Sequence, residues 1–253
     1  MSKGIAFFAT TLAFASRVAF TQAPPQPLHA PDGGTREILT SIFIPPLPDA
    51  PFSASVNTEW TKYLQDGSTQ ILRNHRLIAR DGQGRVFQER RTFVPDGSGR
   101  EPQVTRWELA ELATHTVSYC DPRAWICELR FYNAPAAVNM SAGPSSNDAT
   151  SVTREKLGTR VLEGLDLIGT RETETIGPAV SGANRPLVVV KEFWYSPRLG
   201  LNVLTERDDP RSGKEVFTVS GIQLSEPASS LFALPVSFRI VDLRGAATPS
   251  PLR

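Results

Sequence analysis

Histidine, cysteine, methionine and net charge are all scarce in this 253-residue chain, and each scarcity removes a class of function. Two cysteines cannot build a disulfide-dense scaffold or a four-thiolate zinc site. The histidines, His29, His75 and His115, stand apart with no carboxylate or second histidine at ligand spacing, so no metal site is expected. A formal net charge of +1 removes any global case for nucleic acid, whose phosphates need a basic face. The apolar run GIAFFATTLAFA at 4–15 is too short to cross a bilayer, which takes about 20 residues. No G-x-S-x-G elbow, phosphate loop or dinucleotide fingerprint occurs, and Ser98 belongs to the turn Gly97-Ser98-Gly99. No nucleophile pairs with a base. The chain therefore reads as non-enzymatic, with no catalytic residue and no cofactor.

What is present is a sizeable core. Forty per cent of residues are hydrophobic, which excludes a wholly disordered chain. Lys3, the short apolar run and the small residues beyond it read as an export signal over 1–23, cut after Thr21-x-Ala23. A Pro/Gly-rich tether over 24–36 follows, then one domain over 37–243 and a polar tail over 244–253. Within the domain, 134–151 is rich in small and polar residues and reads as a mobile loop. It carries a glycosylation sequon at Asn139, relevant only in a glycosylating host. No stable membrane span is expected once the leader is gone.

Period-two patterning dominates the domain. Stretches 53–64, 68–80 and 85–94 are separated by Asp66-Gly67, Asp81-Gly82 and Pro95-Asp96-Gly97, the turn chemistry of a meander. Segments 116–120 and 125–132 flank Asp121-Pro122 as another hairpin. Gly158-Thr-Arg160 and Gly169-Thr-Arg171 flank Glu163-Gly164 as mirror arms of a third. Further strands are expected over 186–195, 201–207 and 215–224. Helical signals are few: 37–43 suits a short helix, and 106–113 fits either a helix or a strand.

Four residue sets are candidates for function. Cys120 and Cys127 face each other if their hairpin has a four-residue loop, and a disulfide follows; a one-residue bulge would leave free thiols on opposite faces. Asp208 and Asp209 read as solvated carboxylates at a hairpin tip. Basic residues are mostly arginine, and Arg73, Arg76 and Arg90 mark a possible patch for an anionic lipid or protein partner, against the alternative of a solvated face. Trp60, Phe87, Trp107 and Trp194 are bulky residues on central strands, placed to line an apolar cavity if too little helix exists to cover the sheet.

The C-terminal half carries a resemblance. Residues 192–201 (EFWYSPRLGL), the strand 215–224, then Glu226-Pro227 and Leu231-Phe232-Ala-Leu-Pro235, resemble the closing strands of the bacterial LolA/LppX/RseB-like superfamily, which is related to outer-membrane lipoprotein sorting. The resemblance covers 52–241. It implies a mainly β fold: an antiparallel, unclosed half-barrel of about eleven strands with a few short helices on the concave side. It also implies an exported protein, in a Gram-negative periplasm or outside the cell, that holds a lipid or acylated protein. The alternative it implies is an RseB-like envelope signalling or interaction module that docks a membrane or periplasmic partner. The chain departs from the carriers in its 134–151 loop, its cysteine pair, and Leu201-Asn202 where they have proline.

Overall fold

The hairpins close where the sequence supplies residues that tolerate left-handed backbone. Glu163 and Gly164 take φ of 51° and 73°, a two-residue turn whose twist matches its flanking strands. The computed structural model describes residues 42–132, 146–147 and 150–245. The leader, tether, tail end, His29, Asn139, most of the expected helix at 37–43 and most of the 134–151 loop lie outside them. Ile42 and Phe43, the described end of that helix segment, are not helical.

The strands are β1 (Phe52–Tyr63), β2 (Thr69–Arg80), β3 (Val86–Arg91), β4 (Val94–Pro95), β5 (Val104–Glu111), β6 (Thr116–Asp121), β7 (Ile126–Phe131), β8 (Ser146–Asn147), β9 (Thr150–Leu162), β10 (Leu165–Ile176), β11 (Leu187–Ser196), β12 (Leu201–Asp209), β13 (Gly213–Gln223) and β14 (Arg239–Asp242). They form one sheet in the order 14-7-6-5-3-2-1-13-12-11-10-9-8, with β4 beside β2. Every pairing is antiparallel except β14 on β7. The two halves of the chain meet where β1 pairs β13, and the sheet stays open, with β14 and β8 as its edges.

The mainly β, unclosed architecture is as expected, with 14 strands among the described residues in place of about eleven. The additions include the two-residue β4 and β8 and the four-residue β14, all too short for a periodicity signal. The ambiguous 106–113 lies mostly in the strand β5. The few short helices reduce, among the described residues, to α1 (Pro178–Ser181) and a 3-10 turn at Ser229–Phe232, and neither buries a residue.

Register defines two faces. The front carries Phe52, Ala54 and Val56 of β1, opposite Arg80, Ile78 and Arg76 of β2. Its core also includes Val86, Phe217 and Val219, together with Leu165, Leu167, Leu199 and Leu201. Residues 42–50 lie across this core as a strap. Ile42 and Ile44 are buried in it, and Arg80, itself 0% exposed, donates to the carbonyls of Ala50 and Pro45, each at 2.9 Å. Gly84, at φ 80°, lets Leu47 and Pro48 pass close above it.

The back face, bearing Ala79, Phe87 and Trp107, is covered by a second strap made from residues 224–245. Glu226 accepts from the Gly82 amide, Arg85 lies over Phe232, and Phe238 stacks on Trp107 at 5.7 Å. The strap ends by adding β14 to the β7 edge.

The cysteines are bonded, Cys120 directly opposite Cys127, so the bulge that would have separated them is not there. The loop they close is short, and chain entropy assigns it about 2.5 kcal/mol. A Cys120→Ala/Cys127→Ala double variant should lose about that much stability by urea unfolding. A second check is Gly213, at φ 103°, where a Cβ would collide with the Thr61 carbonyl oxygen. Gly213→Ala should cost about 3 kcal/mol or more and show as a lowered Tm.

Candidate functional site

Arginine and glutamate, not apolar side chains, fill the front face beyond the β1–β2 core. Arg90 lies opposite Arg106 across β3 and β5, and Gln88 opposite Glu108. Extending the Ile78–Gln88 pairing by two residues puts Arg76 opposite Arg90. Three arginines thus stand in one row on neighbouring strands, about 4.8 Å apart. The next row holds Gln88, Glu108 and, opposite Glu108 on β6, Tyr119.

These rows are tied together. Arg76 Nη1 donates to Gln88 Oε1 at 2.8 Å. Gln88 Nε2 donates to Glu108 Oε2 at 2.7 Å. Arg90 Nε and Arg106 Nε donate to Glu108 Oε1 at 3.0 and 2.8 Å. Arg106 also lies over the Tyr119 ring at 5.0 Å.

Burial would raise the Glu108 carboxyl, but Arg90 and Arg106 together hold it below its ordinary value, so it stays ionised. Burial, with Arg90 as a like charge, pulls Arg76 down to about 9, and it remains a cation at neutral pH. Burial, then Glu108, pushes the Tyr119 phenol up, which keeps it a donor. Depth grades along the row. The Arg106 side chain is 43% exposed and that of Arg90 27%, whereas Arg76 is buried at 3%. A cleft of about 450 Å³ opens beside Arg106, lined by Tyr119, Ile126, Glu128 and Arg130 among others.

The arginines expected to form one patch are divided by the sheet. Arg73 is three residues from Arg76 and points to the back, where it pairs Glu59 at 2.8 Å and Asp96 at 2.7 Å. Arg76 is not surface-exposed at all. A single exposed patch of Arg73, Arg76 and Arg90 does not exist, because an odd spacing on a strand reverses the face.

The four bulky candidates are also separated. Trp60 takes the front, where its Nε1 donates to the Ser212 carbonyl and Lys62 lies over its ring. Phe87 and Trp107 take the back, Trp107 beneath Phe238. Trp194 sits at a bulge between β11 and β12, lies across Gly169 and is capped by Arg160 at 3.9 Å. They do not form one wall.

Asp208 is exposed, but Asp209 is buried at 1% and paired with Arg207 and Arg211. It is an anchored tip carboxylate and not a solvated one. A second cleft, of about 490 Å³, lies on the back between Glu59, Arg73, His75 and the 94–102 loop and includes Ser98. His75 Nε2 is 3.4 Å from Arg91 Nη1, and His115 is an exposed turn residue with φ 50°. Among the described residues no three metal-ligating side chains cluster, and no described helix is long and apolar enough to cross a membrane.

The Gln88–Glu108 relay was not anticipated from sequence. Its signal was there, as polar residues at the alternate positions of β3 and β5 that face the core side.

No family model matches the chain, and no curated protein matches it. Among solved structures it is similar to an uncharacterized conserved protein from Thermus thermophilus, at 11% identity and TM-score 0.39, over 77% of this chain and 91% of that one. It is similar to MucB at 12% identity and TM-score 0.34, over 76% of this chain and 60% of that one. It is similar to a LolA superfamily protein from Nitrosomonas europaea at 13% identity and TM-score 0.28, over 74% and 92%. Such identities carry no residue's role across.

Glu108 generates the test of this site. Glu108→Gln leaves Arg90 and Arg106 without the carboxylate they share and should cost about 1.5–3 kcal/mol, because both arginines are part-solvated. Because folding lowers the Glu108 pKa, its contribution is complete above the ordinary value of 4.5 and is lost as pH falls below it. The wild type should therefore lose stability on acidification through that range, and the Glu108→Gln variant should show a shallower loss in parallel urea titrations.

Proposed function

We propose that this chain is an exported, non-catalytic binding protein that holds an amphiphile, a lipid or the acyl chain of an acylated protein, on the front face of its sheet. One observation carries the reading. Along the same face, an apolar floor of Val56, Ile78, Val86, Phe217 and Val219 runs directly into a cationic row, and neither described helix buries a residue on it. An amphiphile is the ligand class with both characters. Its chain would take the place of Ile42 and Ile44 against the floor, gaining about 0.8 kcal/mol for each methylene removed from water.

A second reading, docking of an envelope protein, is favoured by a different observation. Trp125 is 57% exposed, Phe131 61% and Ile240 44%, all on or beside the β7–β14 edge. Large exposed apolar side chains grouped at a sheet edge mark interaction surfaces.

Mass spectrometry of organic extracts from natively purified protein tests the first reading, together with titration against saturated fatty acids of increasing length. Lipid should co-purify, and affinity should rise about fourfold for each added methylene until the face is filled. Repeated absence of lipid, with affinity independent of chain length, overturns it. Crosslinking then decides the second reading.

A further inference from the structure

Arg76 is the most deeply placed of the three row arginines and the least well satisfied. Its Nη1 bonds a neutral amide, Gln88. Its Nη2 is buried with no hydrogen-bond partner. A guanidinium buried this completely with an unused donor is costly. Arg80 also has such an Nη2 but bonds two carbonyls, whereas the side-chain bond of Arg76 is to an amide.

The neighbours show what would use it. Arg90 and Arg106 stand beside it on the next two strands and share the one carboxylate, Glu108, which Arg76 reaches only through Gln88. The other acids lining this region, Glu128 and Asp121, are taken by Arg130 at 2.7 Å and Arg123 at 3.3 Å. On the back face Glu89 is bonded to Arg91 at 2.8 Å, so it does not serve the row as a contact. Guanidinium groups on neighbouring strands, all donors and no acceptors, are the donor set that an oxyanion takes. The cleft of about 450 Å³ borders the row at Arg106, its exposed end.

We infer that the row Arg76, Arg90 and Arg106 receives a phosphate-class oxyanion, entering past Arg106 and Tyr119 to the unused Nη2 of Arg76. The inference deepens the amphiphile reading and rests on it for the source of the anion, a phospholipid headgroup. Apolar floor and oxyanion row then bind the two ends of one molecule. The contact adds charge-assisted hydrogen bonds, so it should weaken as salt rises.

Titration calorimetry of the full chain tests it, with monomeric short-chain phosphatidylglycerol, the matching diacylglycerol that lacks the phosphate, and inorganic phosphate as probes. Phosphatidylglycerol should bind about tenfold tighter than the diacylglycerol, the size of one charge-assisted contact. Inorganic phosphate should compete. Arg106→Gln, at the exposed end of the row, should abolish the preference while the protein stays folded by circular dichroism, since Arg90 still pairs Glu108. Arg76→Lys, which keeps the charge but not the fork, should weaken it. Arg73→Gln on the back face should leave it intact.

Equal binding of both lipids by the wild type overturns the oxyanion row and leaves the amphiphile reading standing. Binding of inorganic phosphate that Arg106→Gln removes, with neither lipid bound, supports the row and overturns the amphiphile reading. Equal loss of preference in Arg73→Gln and Arg106→Gln overturns the row, because the preference would then be a diffuse charge effect.

Discussion

Arg80 holds the front of this molecule together. It is 0% exposed and reaches over from the end of β2 to two carbonyls of the 42–50 strap. A sheet needs cover on any face that is apolar, and helices normally supply it. Here the described helical segments bury nothing, so extended chain does the covering. Extended chain brings backbone carbonyls with no ladder partner, and each needs a donor. Arg80 provides two donors from one side chain, and its guanidinium also lies over the Phe52 ring at 5.1 Å, where the ring face favours a cation. The back is solved in the same way with different chemistry, where Phe232 and Phe238 insert under Arg85 and over Trp107.

Two straps on two faces leave the strands between them free to carry polar groups. Farther along the front, away from Phe52, the same alternation that puts Ile78 and Val86 in the core puts Arg76, Gln88 and Arg90 beside it. Such a row survives burial only if it is cross-linked. Glu108 accepts from Gln88, Arg90 and Arg106, and Gln88 passes the link on to Arg76. Exposed pairs elsewhere, such as Arg130–Glu128 or Arg73–Glu59, are worth about 0–1 kcal/mol each and set no such constraint.

Much of the strand order was legible because turn chemistry is local. Asp66-Gly67 and Glu163-Gly164 mark their hairpins without reference to the rest of the chain, and the Gly158–Gly169 echo is a direct cross-strand pair. The sides on which residues fall were less legible. Faces follow from counting along each strand, and counting fails at bulges, which occur at Arg90/Arg91, Gly169/Thr170 and Trp194/Tyr195. Arg73 and Arg76 look like one cluster in sequence and lie on opposite faces. Trp60 and Trp107 look equivalent and are separated by the sheet. β14 left no local trace, since four residues pairing in parallel with a strand over a hundred positions earlier owe their conformation to β7.

The front strap and the apolar floor are energetically one unit, and this limits how the face can be used. Withdrawing Ile42 and Ile44 from the core costs about 1.5–3 kcal/mol for each side chain. It also uncovers Arg80, whose guanidinium burial already pulls down to about 10. A chain of four to eight methylenes, at about 0.8 kcal/mol each, offsets the two isoleucines. A short chain cannot, so the strap discriminates by length. A head that gains nothing from the arginines must rely on its chain alone, whereas an anionic head brings a second gain at the far end of the same face. The strap therefore sets a threshold that an amphiphile crosses with both ends engaged more readily than with one.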